Sequence, residues 1–122
     1  MQLPKLTLVV GASENPQRYS NIATRRLTAH GHPVLAYGLK DGKIGEIPIT
    51  RNWPVDAEID TVTMYVGPKG QEELIDKIIA LHPKRVIFNP GTENPAFYLQ
   101  LEREGIPYME ACTLVLLSVG DY

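Results

Sequence analysis

Residues 6 to 21, LTLVVGASENPQRYSN, constrain the fold of this chain more than any other stretch. Leu6, Leu8, Val9 and Val10 form a short apolar run rich in strand formers. A strand that is apolar along nearly all of its length is buried on both faces, as in a parallel sheet. Gly11, Ala12 and Ser13 then let the backbone turn tightly, and Asn15-Pro16 marks a non-helical loop. Ser20 stands where an N-cap is wanted, and residues 21 to 30 read as a helix that Gly31 stops. A strand, a turn of small residues and a helix aim backbone N–H groups and a positive helix end at an anion such as a phosphate.

The rest of the chain repeats the alternation. His32-Pro33 opens a second strand, Val34 to Gly38, and residues 39–58 are irregular, with room for a short ribbon at Ile47–Ile49. Trp53-Pro54-Val55 reads as a tether that packs a loop onto the core. Ile59 to Val66 is the third strand, broken by Gly67-Pro68. Pro68 opens a helix to about Leu81, with Leu74, Ile75, Ile78, Ile79 and Leu81 as its buried stripe. His82-Pro83 ends it. Arg85 to Asn89 is the fourth strand, stopped by Pro90-Gly91. A helix over about Pro95 to Glu104 follows, then a strand at Ile106 to Met109 and a closing helix from Thr113. In the first helix Ile22, Ala23, Arg26 and Leu27 share a side. The pattern predicts an α/β fold of the doubly wound, Rossmann-like kind: a mostly parallel five-stranded sheet in the order 3-2-1-4-5, with helices on both faces. In such sheets the ligand lies outside the carboxyl ends of the strands, beside strand one. The loops expected there are 11–20, 38–45, 66–69, 89–94 and 110–113, and each carries Gly, Pro or a small polar residue at the strand exit.

Composition narrows the function classes. The 122 residues predict one domain, 1–122, with a real core. Twelve basic and 14 acidic residues are interspersed, so charge gives no support to a nucleic-acid or membrane-surface role. Leu114 to Val119, the longest apolar stretch, is too short to span a bilayer. MQLPKLTLVV lacks a signal-peptide layout, which makes the cytoplasm the expected location. One cysteine, Cys112, forms no internal disulfide, and His30, His32 and His82 have no metal-site spacing.

Each candidate residue has a functional and a plain structural reading. Gly11-Ala12-Ser13 lets a phosphate approach the backbone, against a tight turn without a ligand. Arg18 can pair with a phosphate bidentately, against a solvated side chain. Tyr19, Ser20 and Asn21 share that helix start, where Ser20 can cap the helix or the anion. Gly38 and Lys40 lie at the second strand exit. Val66-Gly67-Pro68-Lys69 is a wall for a base or ribose, against a plain helix start. Asn89-Pro90-Gly91-Thr92 suits close backbone approach, against helix entry with Thr92 or Asn94 capping. Cys112, near a helix start, is a thiol whose pKa can be lowered, against a small buried residue. A nicotinamide-nucleotide site is disfavoured: Gly-x-Gly-x-x-Gly is missing, and Tyr37-Gly38-Leu39 occupies the place of a ribose-binding acid. No serine-histidine-acid set or nucleophile elbow is present, so no catalytic residue is assigned.

These residues carry a family likeness. VVGASENPQRYSNIATRRLTAHGHPVLAYG resembles the opening of the CoA-binding domain family, as do Ile44-Gly45 with Ile47-Pro48-Ile49, the strand Ile59-Asp60-Thr61-Val62, and Gly105-Ile106 with Cys112. The likeness covers nearly the whole chain and lies with small single-domain bacterial members. More distantly it is similar to the nucleotide-binding domain of the succinyl-CoA synthetase α chain and of ADP-forming acyl-CoA synthetases. The resemblance implies a Rossmann-like domain holding coenzyme A or an acyl-CoA. The pyrophosphate or 3′-phosphate would lie near Gly11–Ser20, the adenosine over Gly38–Lys40 and Val66–Lys69, and the pantetheine past Asn89–Thr92. The catalytic histidine of the large synthetases belongs to a separate domain, so that activity does not carry over. The chain departs from the family in having Tyr37-Gly38-Leu39 for the usual Val-Asn-Pro, and Asn89-Pro90-Gly91-Thr92-Glu93 for the commoner Q-x-G run. Two alternatives stay open, a redox-responsive thiol regulator or enzyme using Cys112 and an NAD(P)-type binder, as does assembly as a homodimer or with a partner protein.

Overall fold

A computed structural model describes residues 3–122. The elements follow in the order β1 (Thr7–Val10), α1 (Tyr19–Ala29), β2 (Val34–Tyr37), β3 (Gly42–Ile44), β4 (Ile47–Thr50), β5 (Thr61–Met64), α2 (Pro68–Gln71), α3 (Ile75–Leu81), β6 (Arg85–Phe88), α4 (Pro95–Arg103), β7 (Tyr108–Glu110) and α5 (Thr113–Val119). The sheet order is β3-β4-β2-β1-β5-β6-β7, and every pairing is parallel except β3 with β4. The α/β, Rossmann-like architecture is as expected.

The strand count and order are not. Among the described residues the sheet has seven strands. The strand expected third, Thr61–Met64, pairs with β1 rather than lying beyond β2. The place beyond β2 belongs to Ile47–Thr50, where the sequence predicts no more than a short ribbon at Ile47–Ile49. Pro48 is tolerated there for a geometric reason. The parallel ladder to β2 uses Ala36↔Ile49 and Tyr37↔Thr50, while Pro48 faces Lys43 on the outer hairpin.

Period-two alternation sorts the sheet into two faces. Leu8, Val10, Val62, Met64, Val86 and Phe88 point one way and pack with Leu74, Ile78, Phe97, Tyr98 and Leu101 of α3, α4 and their approaches. Val9 and Ile87 point the other way, onto Leu27 of α1 and Leu117 of α5. Trp53 does act as a tether: its ring meets Tyr37 edge-on at 4.9 Å.

Three helix details differ from expectation. The first helix begins at Tyr19 with Arg18 in the cap position, and the Ser20 side chain makes no cap bond. Ser20 is one residue inside the helix, where its carbonyl accepts from Thr24 Oγ1 at 2.8 Å. The buried stripe of α1 is Ser20, Ala23, Thr24 and Leu27, whereas Arg26 is exposed. The expected helix from Pro68 to Leu81 is interrupted: Leu74 N–H bonds the carbonyl three residues back, Gln71, which ends α2 before α3 begins.

Candidate functional site

The carboxyl ends of β1, β2, β5 and β6 open into one crevice of about 820 Å³, within the range of small-molecule sites. Its base is a set of forced close approaches. Gly11 (φ 99°) has its Cα against β5: a Cβ there would lie 2.9 Å from Val66 Cγ1 and 3.1 Å from the Tyr65 carbonyl. Gly38 lies under the turn, where a Cβ would come within 2.5 Å of the Ala12 carbonyl oxygen. The Gly11 and Ala12 N–H groups both donate to the Tyr37 carbonyl at 2.9 Å. Gly11 is needed where the exit of β1 touches that of β5, and Gly38 where it touches that of β2.

The loop before α1 is fixed by its own polar groups. Ser13 Oγ accepts from the Asn15 N–H, and Asn15 Oδ1 accepts from the Gln17 N–H. Asn21, 3% exposed, donates to the Ser13 carbonyl at 2.8 Å and accepts from Arg25 Nε at 2.8 Å. Glu14 accepts from the Lys43 N–H at 3.1 Å and ties the loop to β3. Arg18 at the cap position and the first turn of α1, Tyr19 and Ser20, then line the crevice. The positive end of this 11-residue helix favours an anion by about 0.3–1 kcal/mol.

The far wall is held from below. Asn89, 2% exposed, donates through Nδ2 to Thr63 Oγ1 at 2.7 Å and to the Met64 carbonyl at 2.8 Å, and accepts the Thr113 N–H at 2.8 Å. Its carbonyl accepts from the Thr92 N–H and hydroxyl. Gln71, fully buried, donates to the Val66 and Thr92 carbonyls and accepts from Asn94 Nδ2. Asn94 in turn caps α4 by accepting the Phe97 N–H. Two amides thus lock the exits of β5 and β6 together.

Of the residues singled out from sequence, Gly11, Ala12, Ser13, Arg18, Tyr19, Ser20, Gly38, Lys40, Val66, Gly67, Pro90, Gly91 and Thr92 line the one crevice. Asn21, Pro68, Lys69 and Asn89 do not: Asn21 and Asn89 brace it, while Pro68 and Lys69 are exposed on α2. The lining adds Tyr37, Leu39, Tyr65, Gly70, Glu73 and Leu74 among others. Leu39 follows a strand exit already marked, but Glu73 and Leu74 come in only because α2 breaks.

Cys112, partly buried at the start of α5, lies off the crevice lining. Tyr65 lines the crevice while its hydroxyl is buried without a partner among the described residues. Burial pushes that phenol up to about 12. Among the described residues no cluster of His, Cys, Asp and Glu suits a metal ion, and no helix is long and apolar enough to cross a membrane.

At the opposite, amino end of the strands His32, 3% exposed, accepts the Lys5 N–H at Nδ1 (3.0 Å), which leaves Nε2 as the N–H nitrogen of a neutral ring. Burial first, and then the charges of Lys5, His30 and Arg85, hold it below its ordinary value of 6.5. Tyr122 closes this end, with Arg85 4.5 Å above its ring and its backbone oxygen accepting from Lys5 Nζ at 2.8 Å.

Among curated proteins none matches the chain. A solved structure described only as that of an uncharacterized protein is 41% identical, with a TM-score of 0.95 over 99% of this chain and 100% of that one. A conserved hypothetical protein from Pyrococcus furiosus is 28% identical, with a TM-score of 0.80 over 93% of this chain and 98% of its own. A Thermus thermophilus protein shares the fold at 20% identity, with a TM-score of 0.86 over 98% of this chain and 91% of that one. The family model for the CoA binding domain matches residues 5–118. That match spans all the strands and helices but the last residue of α5, and the chain belongs to the CoA-binding domain family.

Proposed function

We propose that residues 1–122 act as one domain that binds coenzyme A or an acyl-CoA in the crevice, without chemistry of its own. The observation that carries this reading is the meeting of four strand exits around the amino end of α1. There Arg18 is exposed and makes no side-chain bond to another described residue. Within the turn Gly11–Ser13 the Gly11 and Ala12 N–H groups are taken by the Tyr37 carbonyl, so the Ser13 N–H and the first amides of α1 receive a phosphate group, with Arg18 and Lys40 as its cations. The adenosine lies over Gly38–Lys40 and the Val66–Leu74 wall, and the pantetheine passes Pro90–Thr92. The titratable lining is Glu14, Arg18, Tyr19, Tyr37, Lys40, Tyr65 and Glu73. Glu14 is already bonded to β3, so the lining offers no base paired with a nucleophile.

A thermal-shift titration tests the reading. Ligand at about 100 times its Kd stabilises the native state by about 2.7 kcal/mol. Coenzyme A at millimolar concentration raises Tm, and NAD at the same concentration raises it less. No shift with coenzyme A, acetyl-CoA, AMP or phosphate refutes the assignment.

A further inference from the structure

The crevice has two unlike sides. Ala12 and Tyr65 pack toward α1 and α5, the side that carries Arg18 and the helix amides. Tyr37, Val66 and Leu74 pack into the core under α3 and α4. On this second side Leu39 is 87% exposed, an apolar side chain at the crevice without protein cover. Gly70 leaves the wall flat, since a Cβ there would meet only Val66, at 3.5 Å. Glu73 stands beside Leu74, exposed and with no bond or ion pair to another described residue. The other carboxylate of the crevice, Glu14, is taken by the Lys43 N–H.

A free carboxylate beside a flat apolar wall has a definite chemistry. It repels phosphate and a ring carbonyl, and it accepts from an amine N–H. We infer that Glu73 selects the base of the bound nucleotide. An aminopurine lies between Leu39 and the Val66–Leu74 wall and donates its exocyclic amine to the Glu73 carboxylate. A 6-oxopurine turns a carbonyl oxygen toward the same carboxylate and is rejected. This rests on the CoA reading of the crevice and adds to it the residue that reads the base.

Calorimetric titration of wild type and Glu73→Gln with coenzyme A and with its 6-oxopurine analogue tests the inference. Wild type binds coenzyme A about tenfold or more tightly than the analogue, from one charge-assisted hydrogen bond gained and one repulsive contact avoided. Glutamine both accepts and donates, so in Glu73→Gln the ratio falls to about twofold or less, mainly because the analogue binds better. Equal binding of the two ligands by wild type, or a ratio the substitution leaves unchanged, overturns the role of Glu73 while coenzyme A binding stands. If neither ligand binds wild type, the reading of the crevice falls and this inference falls with it.

Discussion

Replacing Asn89 by alanine removes the amide that holds three strand and helix ends in register beneath the crevice. The side chain makes three buried hydrogen bonds, at 2.7 Å to Thr63 Oγ1 and at 2.8 Å to the Met64 carbonyl and the Thr113 N–H. Thr63 keeps a partner, because its hydroxyl also meets Thr113 Oγ1 at 2.8 Å. The Thr113 N–H keeps none within hydrogen-bond reach, and an orphaned buried donor costs about 1–3 kcal/mol. The two lost donor bonds add about 0.5–1 kcal/mol each. The total is about 3 kcal/mol, a large share of the roughly 5–15 kcal/mol that holds a domain together. Urea unfolding followed by circular dichroism reads it as a midpoint lowered by about 1–3 M at unchanged m. Lys40→Ala, at an exposed side chain, stays within about 0.5 kcal/mol of wild type. A loss under about 1 kcal/mol in Asn89→Ala refutes the view that this amide locks the two exits together.

Three further outcomes follow from the geometry. Gly38→Ala drives a Cβ to 2.5 Å from the Ala12 carbonyl oxygen, a backbone atom that has to move. It costs about 1–3 kcal/mol and weakens coenzyme A binding, whereas Gly70→Ala, inside α2 with only ordinary contacts for its Cβ, melts no lower than wild type; equal melting of the two variants contradicts the forced approach. Arg18→Ala leaves the Tm of the free protein unchanged, because the exposed side chain makes no bond within the described residues. It weakens coenzyme A binding about tenfold, an effect that shrinks with added salt, and unchanged affinity removes Arg18 from the site. His32 titrates below 6.5 in the folded protein, so the unfolded chain takes up its proton first as the pH falls. Its contribution to stability is complete above about pH 6.5 and is lost as the pH drops toward the folded value. Urea midpoints at pH 7.5 and 5.5 show this slope in wild type, and a slope that persists in His32→Gln contradicts the assignment.

The sequence makes some of this legible and hides the rest for physical reasons. The apolar run Leu8–Val10 and the small-residue turn Gly11–Ser13 identify β1 and the loop above it, because burial on both faces and tight turning leave direct marks on composition. The edge pair β3 and β4 is hidden: three or four residues each, half exposed and with Pro48 inside, they satisfy no strand pattern. Missing β4 shifted the expected sheet order by one strand. Ser20 misled because the cap position is set by where the loop hands over to the helix, and the Ser13–Asn15 turns bring that point to Arg18. Asn89 reads as a polar residue at a strand exit and Gln71 as one more position of the helix from Pro68, and only the folded chain shows that their side-chain bonds are all made inward. Glu73 left no signal at all. It meets the crevice because α2 stops at Gln71, a break made by one carbonyl accepting from three residues on instead of four.

The most direct test of the central claim is a map of backbone amide NMR shifts during titration with coenzyme A. The account predicts the largest changes at Gly11–Ser13, Tyr19, Ser20, Gly38–Lys40, Val66–Gly70 and Gly91–Thr92, around the crevice. Lys5, His32, Arg85 and Tyr122, at the other end of the strands, stay unperturbed. Saturable shifts centred on that other end, or no saturable shift anywhere, contradict it.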